Sequence, residues 1–180
     1  PDDYGGWTGE VSAVLRVGNL MRERDFMLGF SVQERICSGG IPSTIVGYNP
    51  SVASARHAGS FDELRSVYAS HRVFLNTTVE EFEAGYNLAM LEAMATGMPV
   101  VALYHPRSPI VDGRNGFISG DIDQLRQRIQ ELLADRDLAA RLGAEARRTV
   151  IEHFNIEGFV RAWQRVFADA IRSSGAARAA

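Results

Sequence analysis

Short apolar runs alternate along this chain with segments of helical periodicity, and that alternation restricts the fold more than any other feature. Val11 to Val17, Thr44 to Gly47, Val73 to Asn76 and Pro99 to Leu103 each read as a short buried strand, with weaker candidates around His57 and at Gly116 to Ser119. Between them lie helical patterns. Asp25 to Cys37 is closed by Gly39-Gly40, and a helix opened by the capping box Ser60-Phe61-Asp62-Glu63 runs to Ser70. Leu88 to Thr96 is capped by Asn87 and stopped by Gly97. From Asp121 onward the pattern is helical throughout, with apolar faces at Leu125/Ile129/Leu132/Leu133, Leu138/Leu142/Val150 and Phe159/Trp163/Val166/Phe167/Ile171. Apolar strands separated by helices describe a parallel sheet covered on both faces: a doubly wound, Rossmann-like α/β fold.

The length of 180 residues fits one domain. Residues 1–10 are rich in turn formers and read as a linker, 11–155 as the domain, 156–173 as a C-terminal helix, and 174–180 as a disordered small-residue tail. A net charge of −3 with no basic stripe argues against a nucleic-acid partner. The single cysteine, Cys37, excludes a disulfide framework and a cysteine zinc cluster, which suits a cytoplasmic protein. No apolar run reaches the roughly 18 residues of a membrane span, and nothing ahead of the first strand reads as a signal peptide. Peripheral contact with an inner membrane stays open. All 19 basic residues are Arg, so lysine chemistry is absent, and an anion must be held by Arg, backbone N–H groups or helix ends.

Ligands of such sheets bind at the carboxyl ends of the strands. Three loops are therefore expected to converge there: Gly18 to Arg24, Thr77 to Asn87, and Tyr104 to Pro109. Glu92 is the only charge on an otherwise apolar helix, either reaching the surface or a structural Arg, or accepting from a diol such as ribose. The Asn87 cap supplies a helix N-terminus that favours phosphate.

The stretch Gly85-Tyr86-Asn87-Leu88-Ala89-Met90-Leu91-Glu92-Ala93-Met94-Ala95-Thr96-Gly97-Met98-Pro99-Val100-Val101 resembles the signature of retaining GT-B glycosyltransferases of the family-four type. In that family a Glu, seven residues and a second Glu precede an Ala-x-Gly-x-Pro-Val-Val turn. Val17 to Arg24 is similar to the family's first strand-to-helix turn, Ile45 to Pro50 to its Val-Gly-Asp-Gly-Pro turn, and Asp112 to Gly116 to its Asp-Gly-x-Asn-Gly turn. The resemblance implies the C-terminal, nucleotide-sugar-binding half of a GT-B fold. It implies transfer of a sugar from a nucleoside-diphosphate sugar to an acceptor hydroxyl with retention, no metal or other cofactor, and an acceptor domain preceding this one. It also implies that Gly18, Asn19, Arg24, Glu83, Tyr86, Asn87, Leu88 and Glu92 line the donor site, with Glu92 on the ribose and Arg24 on the diphosphate.

Three positions depart from the pattern. The family's first Glu falls on Ala84, with Glu83 one place early; its Arg after the glycine is Asn19; and its Gly-rich stretch is shortened to Tyr104-His105-Pro106-Arg107-Ser108. Arg107 and His105 are the candidates to compensate, His105 reading as a surface-loop residue. Arg24 also reads as a solvated charge in the alternating run Arg22-Glu23-Arg24-Asp25. Asp121-Ile122-Asp123 has the spacing of a metal motif but reads as a helix cap, and Asn76-Thr77-Thr78 is a sequon only in a secreted chain. No residue reads as a protein nucleophile or general base. The expectation is a donor-binding domain of a longer glycosyltransferase, inactive alone. The alternative is a degenerate, non-catalytic interaction domain of the same fold, and a sugar-nucleotide epimerase is a third reading.

Overall fold

The structure, a computed structural model, describes residues 3–83 and 85–178, with residues 173–178 as backbone only. Six parallel strands form one sheet: β1 (Val11–Val17), β2 (Ser43–Val46), β3 (Ala55–Arg56), β4 (His71–Asn76), β5 (Val100–Leu103) and β6 (Gly116–Ser119). Their order is β3-β2-β1-β4-β5-β6, so the direction of winding reverses between β1 and β4. A crevice opens at such a reversal, at the carboxyl ends of the strands.

The two faces follow strand parity. On β4, Phe74 points into one core with Leu15, Tyr68, Met90, Met94 and Val100, whereas Val73 and Leu75 point into the other with Val14, Ile36, Leu125, Ile129 and Leu132. The first face is covered by α3 (Phe61–Ser70) and α4 (Leu88–Thr96) and the second by α2 (Phe30–Cys37) and α5 (Ile122–Ala134), while α6 (Arg136–His153) gives Ala146 and Val150 to the first core and Ala139 and Leu142 to the second. Burial on both faces is why β4 has no polar/apolar alternation and is buried along its whole length.

Capping residues set the helix starts. Ser60 Oγ accepts from the Glu63 N–H at 3.1 Å, Asn87 Oδ1 from the Met90 N–H at 2.8 Å, and Asp135 Oδ1 from the Leu138 N–H at 2.8 Å. Asp121 caps α5 by accepting from the backbone of Asp123 and Gln124, the cap role expected of this Asp-x-Asp pair.

Three expectations change. The stretch from Asp25 to Cys37 is two helices, α1 (Asp25–Leu28) and α2, because Gly29 sits between them at φ +62°. A Cβ there would lie 2.5 Å from the Thr77 carbonyl oxygen, so the break lets the chain pass close over the end of β4. The last helix, α7 (Ile156–Arg178), continues into the stretch expected to be a disordered tail. Its Ala and Arg residues are strong helix formers; 179 and 180 lie outside the described residues. Residues 3–10 of the leader form no helix or strand, yet they are pinned. Trp7 Nε1 donates to the His71 carbonyl at 2.8 Å, and Arg147 donates to the Tyr4 carbonyl at 2.7 Å.

Candidate functional site

The three loops do meet. The Val79 N–H donates to the Met27 carbonyl at 3.0 Å, joining the second loop to α1, the helix that follows the first. His105 Nε2 donates to the Glu83 carbonyl at 3.1 Å, joining the third to the second. His105 is 2% exposed, so it is not a surface residue as its loop position suggested. Its Nδ1 accepts from the Arg107 N–H at 3.1 Å, which assigns the ring proton to Nε2. Gly85, at φ +81°, makes room for this ring: a Cβ there would lie 2.3 Å from His105 Nδ1. The Arg107 side chain stays exposed.

Arg24 and Glu83 come together at the mouth, with 3.9 Å between guanidinium and carboxylate. At that distance and with Arg24 partly exposed, the pair holds weakly and leaves the guanidinium available to an anion. Beside it, Phe26 and Phe82 stack edge to face at 5.1 Å, both exposed on the rim. In the sequence Phe26 reads as an apolar position of the helical stretch from Asp25 to Cys37 and Phe82 as a lone aromatic in an acidic loop, so nothing local pairs them. Ala84 lies outside the described residues.

A cleft of about 330 Å³ opens at the carboxyl ends of β1 and β2. Val17, Gly18, Asn19, Val46, Gly47, His57, Ala58, Phe61, Leu64 and Ala89 are among its lining residues. Asn19 fixes the cleft wall, because its Oδ1 accepts from the Tyr48 N–H at 2.8 Å and so ties the β1 loop to the β2 loop. Asn49 doubles that tie, accepting from the Met21 N–H at 2.7 Å and donating to the Gly18 carbonyl at 2.8 Å. Between them Leu20 is held at φ +52°, a strained conformation for a branched side chain.

The N-terminus of α4 faces this region. Its first-turn N–H groups at Leu88 and Ala89 have no acceptor inside the helix. Asn87 is anchored in turn: its Nδ2 donates to Asn76 Oδ1 at 3.2 Å, and Asn76 Nδ2 donates to Thr78 Oγ1 at 3.1 Å. Asn76, Thr77 and Thr78 are all buried, so the sequon is an internal hydrogen-bond relay and not a glycosylation acceptor in the folded chain. The Leu88 side chain projects outward, 78% exposed. Tyr86 packs edge-on against Phe154 at 5.1 Å and secures the loop to the end of α6.

Glu92 lies one turn beyond Ala89 and is partly buried. A phenol meets its carboxylate: Tyr68 Oη donates to Oε2 at 2.9 Å, and the Tyr4 hydroxyl lies near enough to feel the Glu92 charge. Burial first, and then the Glu92 charge, raise both phenols above their ordinary range. Among the described residues no cluster of three or more His, Cys, Asp or Glu is placed to hold a metal ion.

Comparison with known proteins decides the family. The profile described as "Glycosyl transferases group 1" matches residues 32–135, more than half of the chain. The chain belongs to the group 1 glycosyl transferases. It is similar to the poly(ribitol-phosphate) alpha-N-acetylglucosaminyltransferase of Staphylococcus aureus (strain COL), 34% identical over 88 residues that cover 46% of this chain and 18% of that enzyme. The fold is that of the C-terminal domain of GT-B glycosyltransferases. It superimposes on a variant of S. aureus TarM, solved with UDP among its ligands, with a TM-score of 0.68 and 21% identity over 93% of this chain and 36% of that one. It also matches the C-terminal domain of the group 1 glycosyl transferase LpcC from Francisella tularensis, with a TM-score of 0.63 and 16% identity over 85% of this chain and 96% of that domain. The chain spans less than a third of the length of the curated relatives it matches. None of the described helices is long and apolar enough to cross a membrane.

Proposed function

We propose that this group 1 domain is the donor half of a retaining glycosyltransferase and binds a nucleoside-diphosphate sugar at the crevice between β1 and β4. The observation that carries the reading is the convergence there of three complementary features: the Arg24 guanidinium, the N-terminus of α4, and the cleft lined by Val46, His57, Phe61, Leu64 and Ala89. A nucleotide has the matching parts in the matching order. The base and ribose enter the cleft, the ribose diol donates to Glu92, and the diphosphate lies between the free N–H groups of α4 and Arg24. TarM, of like fold, was solved with UDP, which makes UDP the first probe.

During transfer the bond from the anomeric carbon to the diphosphate oxygen breaks, and negative charge grows on the leaving group. Arg24 and the helix dipole oppose that charge without reorganising, which is where this chain contributes to rate. Glu83, held beside Arg24 and fixed through its carbonyl by His105, is the carboxylate nearest to the transferred sugar in this reading. The acceptor comes from a preceding domain. The exposed stripe Phe159-Trp163-Phe167 of α7 is the surface that such a domain would cover.

A second reading, a binding module without catalysis, is favoured by Asn19, whose carboxamide is committed to the Tyr48 backbone where the family carries a free cation. Thermal-shift titration with UDP, GDP and ADP separates the two. A nucleotide at about one hundred times its Kd stabilises the fold by about 2.7 kcal/mol. The expected outcome is a raised melting temperature for one nucleotide in the wild-type protein and none for Glu92→Ala. No response to any nucleotide by the full-length protein would favour the module.

A further inference from the structure

Tyr68 has an unusual setting for a helical tyrosine. Its side chain is completely buried, wedged between the ring of Tyr4 at 6.4 Å and that of Phe74 at 6.3 Å. Rotation out of that slot would empty a filled core. The hydroxyl therefore has one direction to point, and in that direction it meets Glu92 Oε2 at 2.9 Å. Tyr4, from the partly exposed leader, lies near the same carboxylate and stacks edge-on against Phe61 at 5.9 Å. A glutamate alone on a helix surface samples several rotamers, and its terminal torsion is soft. Here a fixed donor on one oxygen removes that freedom. Burial and then the Glu92 charge push the Tyr68 phenol up, so it keeps its proton and acts as a donor throughout the physiological range.

We propose that Tyr68 is the positioning residue for Glu92: it holds the carboxylate so that its remaining lone pairs meet a vicinal diol at one angle, making the site selective for ribose over 2′-deoxyribose. The proposal rests on the donor-site reading above and adds the residue that sets sugar selectivity. Tyr68 cannot leave without unfolding α3 from the sheet.

The test is isothermal titration of the full-length protein with UDP and 2′-deoxy-UDP, and with the guanine and adenine pairs, for the wild type, Tyr68→Phe and Glu92→Gln. Wild type should prefer the ribonucleotide by about tenfold or more, since a site built to bond a hydroxyl rejects the analogue lacking it. Tyr68→Phe should lose most of that preference by weakening the ribonucleotide alone, with the deoxynucleotide Kd unchanged. A merely structural role would weaken both alike and keep the ratio, and that result overturns the proposal. If Glu92→Gln loses the preference while Tyr68→Phe keeps it, the donor-site reading stands and the positioning role falls. If Glu92→Gln keeps it, or no nucleotide binds the wild type, both fall. As a check free of substitution, the Tyr68 Cζ resonance in tyrosine-labelled wild type should shift with UDP and not with 2′-deoxy-UDP. An unmoved resonance in UDP also overturns the proposal.

Discussion

Burial holds the His71 imidazole below its ordinary value; the Val67 carbonyl opposes this and the charge of Arg56 adds to it. Both ring nitrogens are used in the neutral form: Nδ1–H donates to the Val67 carbonyl at 2.8 Å, and Nε2 accepts from the Thr44 hydroxyl at 2.9 Å. The sign of the pH effect follows. Above about pH 6.5 the ring is neutral in both folded and unfolded chains, and its contribution is intact. As pH falls below that value the unfolded chain takes the proton first, and stability drains until the folded ring is protonated too. The melting temperature of the wild type should therefore fall more steeply between about pH 6.5 and 5 than that of His71→Gln. Parallel profiles would reject this account. Nothing in the sequence announces it, because Thr44 is supplied by a neighbouring part of the sheet.

At the scale of elements, the crossing of α4 and α6 fixes where the site residues of α4 lie. Gly97 ends α4 at φ +94°, and α6 passes so close that a Cβ on Gly143 would sit 1.9 Å from the Gly97 carbonyl oxygen. Arg147, one turn further on α6, donates to the Ala95 carbonyl. Gly143→Ala should push the helices apart, cost about 1–3 kcal/mol in chemical denaturation, and weaken nucleotide binding by moving Asn87 and Glu92. Gly120→Ala is the control, with no atom within 4 Å of the added carbon, and should be close to neutral. The stop at Gly97 is legible from the sequence as a helix end. Gly143 is not, since a glycine inside an amphipathic pattern reads only as a weakness until the crossing shows what it admits.

For the whole molecule, α7 is the feature that the described residues do not explain by themselves. Phe159, Trp163 and Phe167 stack along one side of it at 6.2 and 5.4 Å and stay about half exposed. A contiguous apolar stripe of that kind marks an interaction surface. The chain studied alone should self-associate as its concentration rises, and the double substitution Phe159→Ser with Phe167→Ser should return it to monomer without loss of helix by circular dichroism. Sedimentation velocity reads the result directly; a wild-type chain that stays monomeric would reject the prediction.

The sequence by itself determined the kinds of element, most of their boundaries and the fold class, since strand periodicity, Asn87 and Ser60 caps and the Gly97 stop act over a few residues. It also determined that Glu92 would be the one charge on α4. Tertiary structure alone decided what Glu92 meets, namely Tyr68, with Tyr4 near it, in place of a structural arginine. It alone buried His105 against Glu83, bent the chain at Gly29 over Thr77, and turned Asn76 from an apparent sequon into an anchor for Asn87. Each of these rests on groups far apart in the chain but close in space. Local chemistry can state that a buried polar group needs a partner; only the packed sheet and helices decide which one arrives.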